Sequence, residues 1–310
     1  MKIWKPLLFS LCMGISLLGC SVNNTSKNKD RQELQSINWL KEPFAEYTED
    51  PIALYDKGFL VNDGIREGFI DTKGNLLLDM KYKFQACFLY DAYGVIEGSD
   101  GEIQYLSQLL QIEGYDQGCW TGIIGPMTRY YYNDKHKSVH AVSYDMDASR
   151  YVDTITDMEA VCADLHADTF FLPVNLLIQS EEGKEAIRTK EGFVLVTNGK
   201  LQPDTVYSDI HMKNRVYRPH DILEALNAVK TDGKWAIMDK TGKLITGFDY
   251  EAADVLNDEF VKVKKTPYIG LYTKDRKEYL YDEIESITAP SQNTVFVKQD
   301  GRWGLMKFPE

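Results

Sequence analysis

The feature that most constrains this chain is a period of 34 residues in its C-terminal third. Ala228-Val-Lys-Thr-Asp-Gly-Lys-Trp235-Ala236 reads almost letter for letter against Phe296-Val-Lys-Gln-Asp-Gly-Arg-Trp303-Gly304. Between them Val263-Lys-Lys-Thr-Pro-Tyr-Ile269-Gly270-Leu271 keeps step, so that the small residues at 236, 270 and 304 stand 34 apart each time. A regular period of this length implies one supersecondary unit used again and again, each copy burying its apolar face against the next.

Helical repeats also use such a period, so the residues must decide the class. Each unit carries a turn such as Asp232-Gly233, a run Trp235 to Met238, and a second turn Asp239-Lys-Thr-Gly242. A further run from Lys243 to Phe248 leads to Tyr250, and Glu259 to Lys264 alternates apolar with charged residues. Two turn signals per unit and alternation of period two describe short antiparallel strands, about three per unit. Glycine at this density would be costly in helices. The expected fold is all-β: repeated units of short antiparallel strands, β-propeller-like or β-solenoid-like, with a few short helices in the middle.

Fainter copies lie upstream. Gly68-Phe-Ile-Asp71-Thr-Lys-Gly74 with Tyr82 matches Ala236 to Gly242 with Tyr250 at an offset of 168. Phe193 to Gly199 with Tyr207 matches the same stretch at an offset of 43. The region from about 98 to 180 is irregular. Ser99 with Glu102 before Ile103, Leu106 and Leu110, and Thr156 with Glu159 before Val161 and Leu165, read as capping boxes of short helices. Arg129 to Asn133 and Ser138 to Tyr144 read as a hairpin. The stretch is either a set of degenerate repeats with insertions or one inserted subdomain.

The unit Asp-Gly-Lys-Trp-[Gly/Ala]-h-h-Asp-x-x-Gly-Lys, followed by Tyr and a Val-Lys strand, resembles the WG (KWG) repeat family of bacterial proteins. The resemblance is close over residues 226–310 and recognisable over 55–85 and 190–210. Tryptophan is replaced in the copies at Glu67, Phe193 and Ile269, and Ala236 stands where glycine is usual. The resemblance implies a propeller-like or solenoid-like architecture and, by analogy, a binding role; the family carries no established activity.

The N-terminus carries an address. Lys2 and Lys5 precede an almost uncharged apolar run from Leu7 to Leu18, long enough for a secretory signal and short for a membrane span. The run ends in Leu17-Leu18-Gly19-Cys20, which resembles a bacterial lipobox. Residues 1–19 are read as a lipoprotein signal peptide and Cys20 as the lipidated first residue of the mature chain, tying the protein to the membrane. The polar stretch 20–36 has tether composition, and a β domain is expected over 37–310. Ser21 is not the aspartate that retains lipoproteins at the inner membrane in some bacteria, which favours the outer membrane in a diderm cell.

Composition removes several function classes. A net charge of −12, made more negative by loss of Lys2 and Lys5, speaks against nucleic acid as a partner. Once Cys12 is cleaved off and Cys20 is lipidated, Cys87, Cys119 and Cys162 remain, an odd number whose spacing fits no zinc or redox motif. They are read as free thiols with room for at most one disulfide. Trp235 and Trp303 have the faces of ligand platforms, but their fixed place in the repeat assigns them to packing between units. His136 and His140 are read as two surface histidines rather than metal ligands, because their context alternates like a strand. Asp145-Met-Asp147-Ala-Ser149 opens like a calcium loop, but Arg150 and Thr156 occupy the places of the turn glycine and the bidentate glutamate. No Gly-x-Ser-x-Gly elbow or phosphate-binding loop is present, and no cofactor is implied. The sequence therefore points to a non-enzymatic envelope lipoprotein that binds a protein or glycan or acts as a scaffold. The alternative is an envelope hydrolase using carboxylates in the 98–180 region, for which 47 acidic residues offer no single pair to single out.

Overall fold

The computed structural model describes residues 34–54, 56–84, 95–97, 103–112, 128–145, 147, 150–181, 184–189, 191–212 and 221–309. Strand β1 (Trp39–Ala45) comes first. The first unit follows as an antiparallel meander of β2 (Ile52–Leu54), β3 (Gly58–Asn62), β4 (Glu67–Asp71) and β5 (Leu76–Phe84), extended by β6 (Val95–Glu97) and β7 (Ile103–Tyr105). Helix α1 (Leu106–Leu109) leads to a three-stranded sheet of β8 (Arg129–Asn133), β9 (Ser138–Asp145) and β10 (Arg150–Thr156), and then to helix α2 (Met158–Leu165). The second unit comprises β11 (Phe170–Pro173), interrupted by the hairpin β12 (Leu176–Glu181) and β13 (Lys184–Thr189), then β14 (Phe193–Thr197) and β15 (Lys200–Tyr207).

The C-terminal third holds three more units. The third consists of β16 (Asp209–His211), β18 (Leu226–Thr231) and β19 (Lys234–Asp239), while the intervening β17 (Asp221–Ile222) pairs with β11 at the edge of the second unit. Bridges from Met238 to Leu244 and from Trp235 to Tyr250 add residues 244–250 as the third unit's outer edge. The fourth is the meander β20 (Ala252–Val255), β21 (Phe260–Lys265), β22 (Tyr268–Thr273) and β23 (Glu278–Tyr281). The fifth has β24 (Ser286–Ile287), β25 (Thr294–Gln299) and β26 (Arg302–Lys307).

The expected all-β repeat fold is what the structure shows. Both expected short helices are present, at Leu106–Leu109 and Met158–Leu165, and of the two capping-box readings the one at Thr156 is corrected. Ile103 begins a strand rather than a helical pattern, and Ser99 and Glu102 lie outside the described residues. The second helix is capped by Asp157, one residue after Thr156, because the Asp157 carboxylate accepts from the Ala160 amide at 2.8 Å. The hairpin reading holds, as β8 and β9.

Alternation sends side chains to both faces of each strand, and in the inner strands of the stacked units both faces are buried. Leu226, Ala228 and Ile237 pack with the fourth unit's Val261 and Val263, while Val229, Ala236 and Met238 pack with the second unit's Phe171 and Leu195. In the next layer Leu271 and Tyr281 meet Ile287, Val295 and Val297 of the fifth unit. This explains why Phe193-Val-Leu-Val196 and Val295-Phe-Val297 are unbroken apolar runs: a strand covered on both sides has no solvent face to keep polar.

The stack continues through the chain ends. Phe296, Trp303 and Leu305 of the fifth unit pack on Phe59, Val61 and Ile70 of the first. The fifth unit also lacks an outer strand of its own, and β1 supplies it, pairing antiparallel with β26 through Trp39 to Met306, Lys41 to Leu305 and Ala45 to Trp303. Strand β1 thus stands to β2 as β23 stands to β24, the outer strand of one unit leading into the first strand of the next.

The repeat letters now have physical reasons. The tryptophan position pairs across the sheet with a tyrosine in three units: Glu67 with Tyr82, Trp235 with Tyr250, and Ile269 with Tyr281. In the second unit the offset of 43 puts Gly192 at that position, which corrects the placing of Phe193 there, and Phe193, one residue on, pairs with Tyr207. In the fifth unit Trp303 meets Ala45 instead. The small residue that follows admits the outer strand's backbone. A Cβ on Gly270 would lie 1.8 Å from the Tyr279 carbonyl oxygen, and one on Gly304 would meet the Pro43 nitrogen at 2.8 Å and the Lys41 oxygen at 2.9 Å. The aspartate of the motif closes the next turn: Asp239 Oδ1 accepts from the amides of Thr241 at 2.9 Å and Lys243 at 3.2 Å, and Asp71 does the same for Lys73 and Asn75.

The tryptophans themselves divide. Trp303 is fully buried, with Phe296 edge-on at 6.2 Å between ring centroids. Trp235 is only half-buried, although it packs against the fourth unit's core. The expectation of packing between units holds for both, although their burial differs. Trp303 is covered by β1 and the first unit, whereas Trp235 faces a loosely bridged edge segment.

Candidate functional site

The first strands of consecutive units, together with β21, bring charged residues together. His211 on β16, Asp254 on β20, Lys262 on β21, Ser286 on β24 and Asp50 just before β2 form one connected strip across the third, fourth, fifth and first units. The Val255 amide donates to His211 Nδ1 at 3.0 Å, and because an amide can only donate, the imidazole proton sits on Nε2. That nitrogen lies 3.1 Å from Asp254 Oδ1. The Lys262 ammonium stands 3.6 Å from Asp254 Oδ2 and donates to Asp50 Oδ2 at 2.8 Å, and the Ser286 hydroxyl donates to that same oxygen at 2.8 Å. Burial by itself would raise the Asp50 carboxyl, but Lys262 and Ser286 outweigh it and hold the group below its usual range.

The strip remains open to solvent. The side chains of His211, Asp254 and Asp50 are 43%, 45% and 48% exposed, and that of Lys262 is better covered at 23%. It therefore offers oriented donors and acceptors of both signs to a polar ligand, with their directions fixed by contacts between units. No sequence pattern marks it, because its members sit at unrelated positions and meet only when units stack.

The residues singled out from sequence fall elsewhere. Cys20, Cys87, Cys119 and Ser149 lie outside the described residues. Cys162 on α2 is a half-buried free thiol, and burial pushes its pKa up, away from reactivity. Asp145 closes β9 and accepts from the Asp147 amide at 3.0 Å, a local turn. Among the described residues, no group of three or more His, Cys, Asp or Glu gathers as a metal site.

His136 is exposed, as a surface histidine should be. His140 is not: its side chain is 12% exposed and both ring nitrogens are engaged, Nε2 with Ser138 Oγ and Nδ1 with Asp153 Oδ1, each at 2.9 Å. The reading of two surface histidines is corrected for this one. Strand alternation places Ser138 and His140 on one face of β9, and β10 brings Asp153 alongside.

Glu67 occupies the tryptophan position of the first unit and is half-buried. Burial pushes its carboxyl up to about 7, opposed by the Asn62 amide that donates to it at 3.1 Å and reinforced by repulsion from Glu49. An acid raised in this way favours folding while it is protonated. Its contribution is complete below the ordinary carboxyl value near 4.5 and is lost as pH rises through about 7. Urea unfolding should accordingly show wild-type stability declining between those values, and Glu67→Gln should lack that share of the decline. Parallel pH profiles for the two proteins would refute the assignment.

A family model for the WG containing repeat matches residues 68–95. The chain carries a WG-type repeat. The match begins at Gly68, directly after the glutamate that replaces tryptophan, so the strand–turn–strand frame around Asp71 and Gly74 carries the signal without the indole. Among curated proteins none matches the chain.

Proposed function

We propose that this chain is a lipoprotein of the bacterial cell envelope, held at the membrane by lipid on Cys20, whose WG-type units form a binding or scaffolding module for a protein or glycan. In a diderm cell the outer membrane is the favoured location. The observation that carries the binding role is the strip from His211 to Asp50: four successive units contribute polar groups that are mutually oriented yet still exposed. A stack built for stability alone gains little from half-exposed ion pairs. The anchor rests on the Lys2/Lys5 region, the apolar run and Leu17-Leu18-Gly19-Cys20.

Two experiments test the reading in its two parts. Metabolic labelling with a palmitate analogue should mark the wild type and leave Cys20→Ala unlabelled, with the variant running as a larger, unprocessed precursor. Equal labelling would remove Cys20 as the anchor. For the binding role, the membrane-anchored protein is used to capture partners from its own envelope, alongside Asp254→Asn and Lys262→Ala. Loss of the captured species with unchanged thermal melting supports the strip; identical capture by all three proteins rejects it.

A further inference from the structure

The sheet β8–β10 presents one face to the second unit, through Tyr130, Tyr132 and Val139. Its other face carries a chain of four hydrogen-bonded side chains. The Ser138 hydroxyl lies 2.9 Å from His140 Nε2, His140 Nδ1 lies 2.9 Å from Asp153 Oδ1, and the Tyr131 hydroxyl donates to Asp153 Oδ2 at 2.7 Å. The Tyr131 ring lies over the His140 ring, with centroids 4.9 Å apart and planes 31° from parallel.

The proton positions follow from these contacts. A carboxylate only accepts, so the imidazole proton sits on Nδ1, facing Asp153, and Nε2 is bare. A bare Nε2 beside a serine hydroxyl accepts its proton. Burial and the Asp153 carboxylate push the Tyr131 phenol up to about 12, so it stays a donor and holds the second carboxylate oxygen. The serine–imidazole–carboxylate order, the tautomer and the distances are those by which a hydroxyl is made nucleophilic.

We propose that Ser138 is an activated nucleophile that cleaves carboxylic esters, with His140 as its base and Asp153 and Tyr131 as positioning residues. Ser138 Oγ bonds to the acyl carbon while its proton passes to His140 Nε2. The tetrahedral adduct then collapses, the acyl–alkoxy bond breaks, and the leaving alcohol takes the proton from Nε2. Water, deprotonated by the same nitrogen, releases the acyl group as a carboxylic acid and returns the proton to Ser138. No metal or redox partner is needed. The site lies in the region where the sequence left room for a hydrolase, but its nucleophile is a hydroxyl rather than one of a carboxylate pair. It shares no residue with the His211–Asp50 strip, so either assignment can fail without the other.

The test is reaction of the purified mature protein with a fluorophosphonate probe, mapped by peptide mass spectrometry, together with hydrolysis of p-nitrophenyl acetate. The wild type should gain one adduct, on Ser138. Ser138→Ala should gain none and define the background hydrolysis rate. His140→Gln should slow labelling by about 100-fold or more, as expected when a general base is lost. Asp153→Asn should slow it about tenfold or more, and Asp153→Glu should recover part of that loss, which a purely structural role would not produce. Wild-type protein without an adduct on Ser138, or His140→Gln labelled at the wild-type rate, overturns the proposal whatever the other variants do.

Discussion

Deleting residues 34–45 is expected to abolish the cooperative thermal transition of the β domain. The segment contains β1, the outer strand of the fifth unit, and without it β26 presents an unpaired edge. Trp39 and Phe44 leave the core with it: Trp39 packs in the cluster of Ile287 and Val295, and Phe44 lies 6.1 Å from the Phe296 ring. Both are half-buried, so each contributes part of the roughly 1.5–3 kcal/mol that full burial of a large apolar side chain is worth, and the ladder bonds to β26 are lost as well. A domain whose whole stability is about 5–15 kcal/mol has little left after such a loss. The exposed edge should also drive self-association. Circular dichroism melting with light scattering reads both effects. A truncated protein that melts at the wild-type midpoint would contradict the pairing.

Trp303→Ala should destabilise the domain by about 3–5 kcal/mol, the usual cost of emptying a buried aromatic site. The indole sits where the fifth unit meets the first, with Phe59, Val61 and Ile70 on one side and Phe296 edge-on. In a domain of this size the loss corresponds to a drop in melting temperature on the order of 10 °C. Two comparisons sharpen the result. Trp235→Ala should cost clearly less, because Trp235 is only half-buried. Trp303→Phe should cost a small part of the alanine loss, since the buried Trp303 Nε1 has no hydrogen-bond partner among the described residues and the indole acts through packing. Chemical denaturation of the four proteins gives the ranking, and equal losses for both tryptophans would undo the distinction between the two interfaces.

Much of this architecture was legible because the repeat letters encode local geometry. Asp232-Gly233 is a tight turn, Asp239 closes the next one, and Gly270 and Gly304 stand where a backbone passes too close for a Cβ. Such constraints act within a few residues, so each copy displays them. What remained hidden depends on contacts between distant residues. Trp39-Leu-Lys-Glu-Pro-Phe-Ala45 shares no letters with the outer strands of the other units, and its pairing with β26 spans the whole domain. The unequal burial of Trp235 and Trp303 follows from that same pairing.

The two polar constellations were hidden for the same reason. Ser138 and His140 are two residues apart, a spacing that any strand produces, and it gains meaning only when β10 delivers Asp153 and β8 delivers Tyr131. His211, Asp254, Lys262, Ser286 and Asp50 are joined by the stacking of four units and by nothing local. The first strands are short and differ in sequence from unit to unit, so the period that exposes the core leaves this surface unmarked.

The claim on which the rest depends is that the stack of units runs through the chain ends, with the N-terminal strand completing the C-terminal unit. Amide hydrogen exchange of the intact protein, followed by mass spectrometry, tests it directly. Peptides covering residues 39–45 should be protected as strongly as those covering β25 and β26, and destabilisation by Trp303→Ala should weaken protection in all three together, since they form one sheet. Exchange of residues 39–45 at the rate of an unstructured chain, beside a protected β26, would contradict the account.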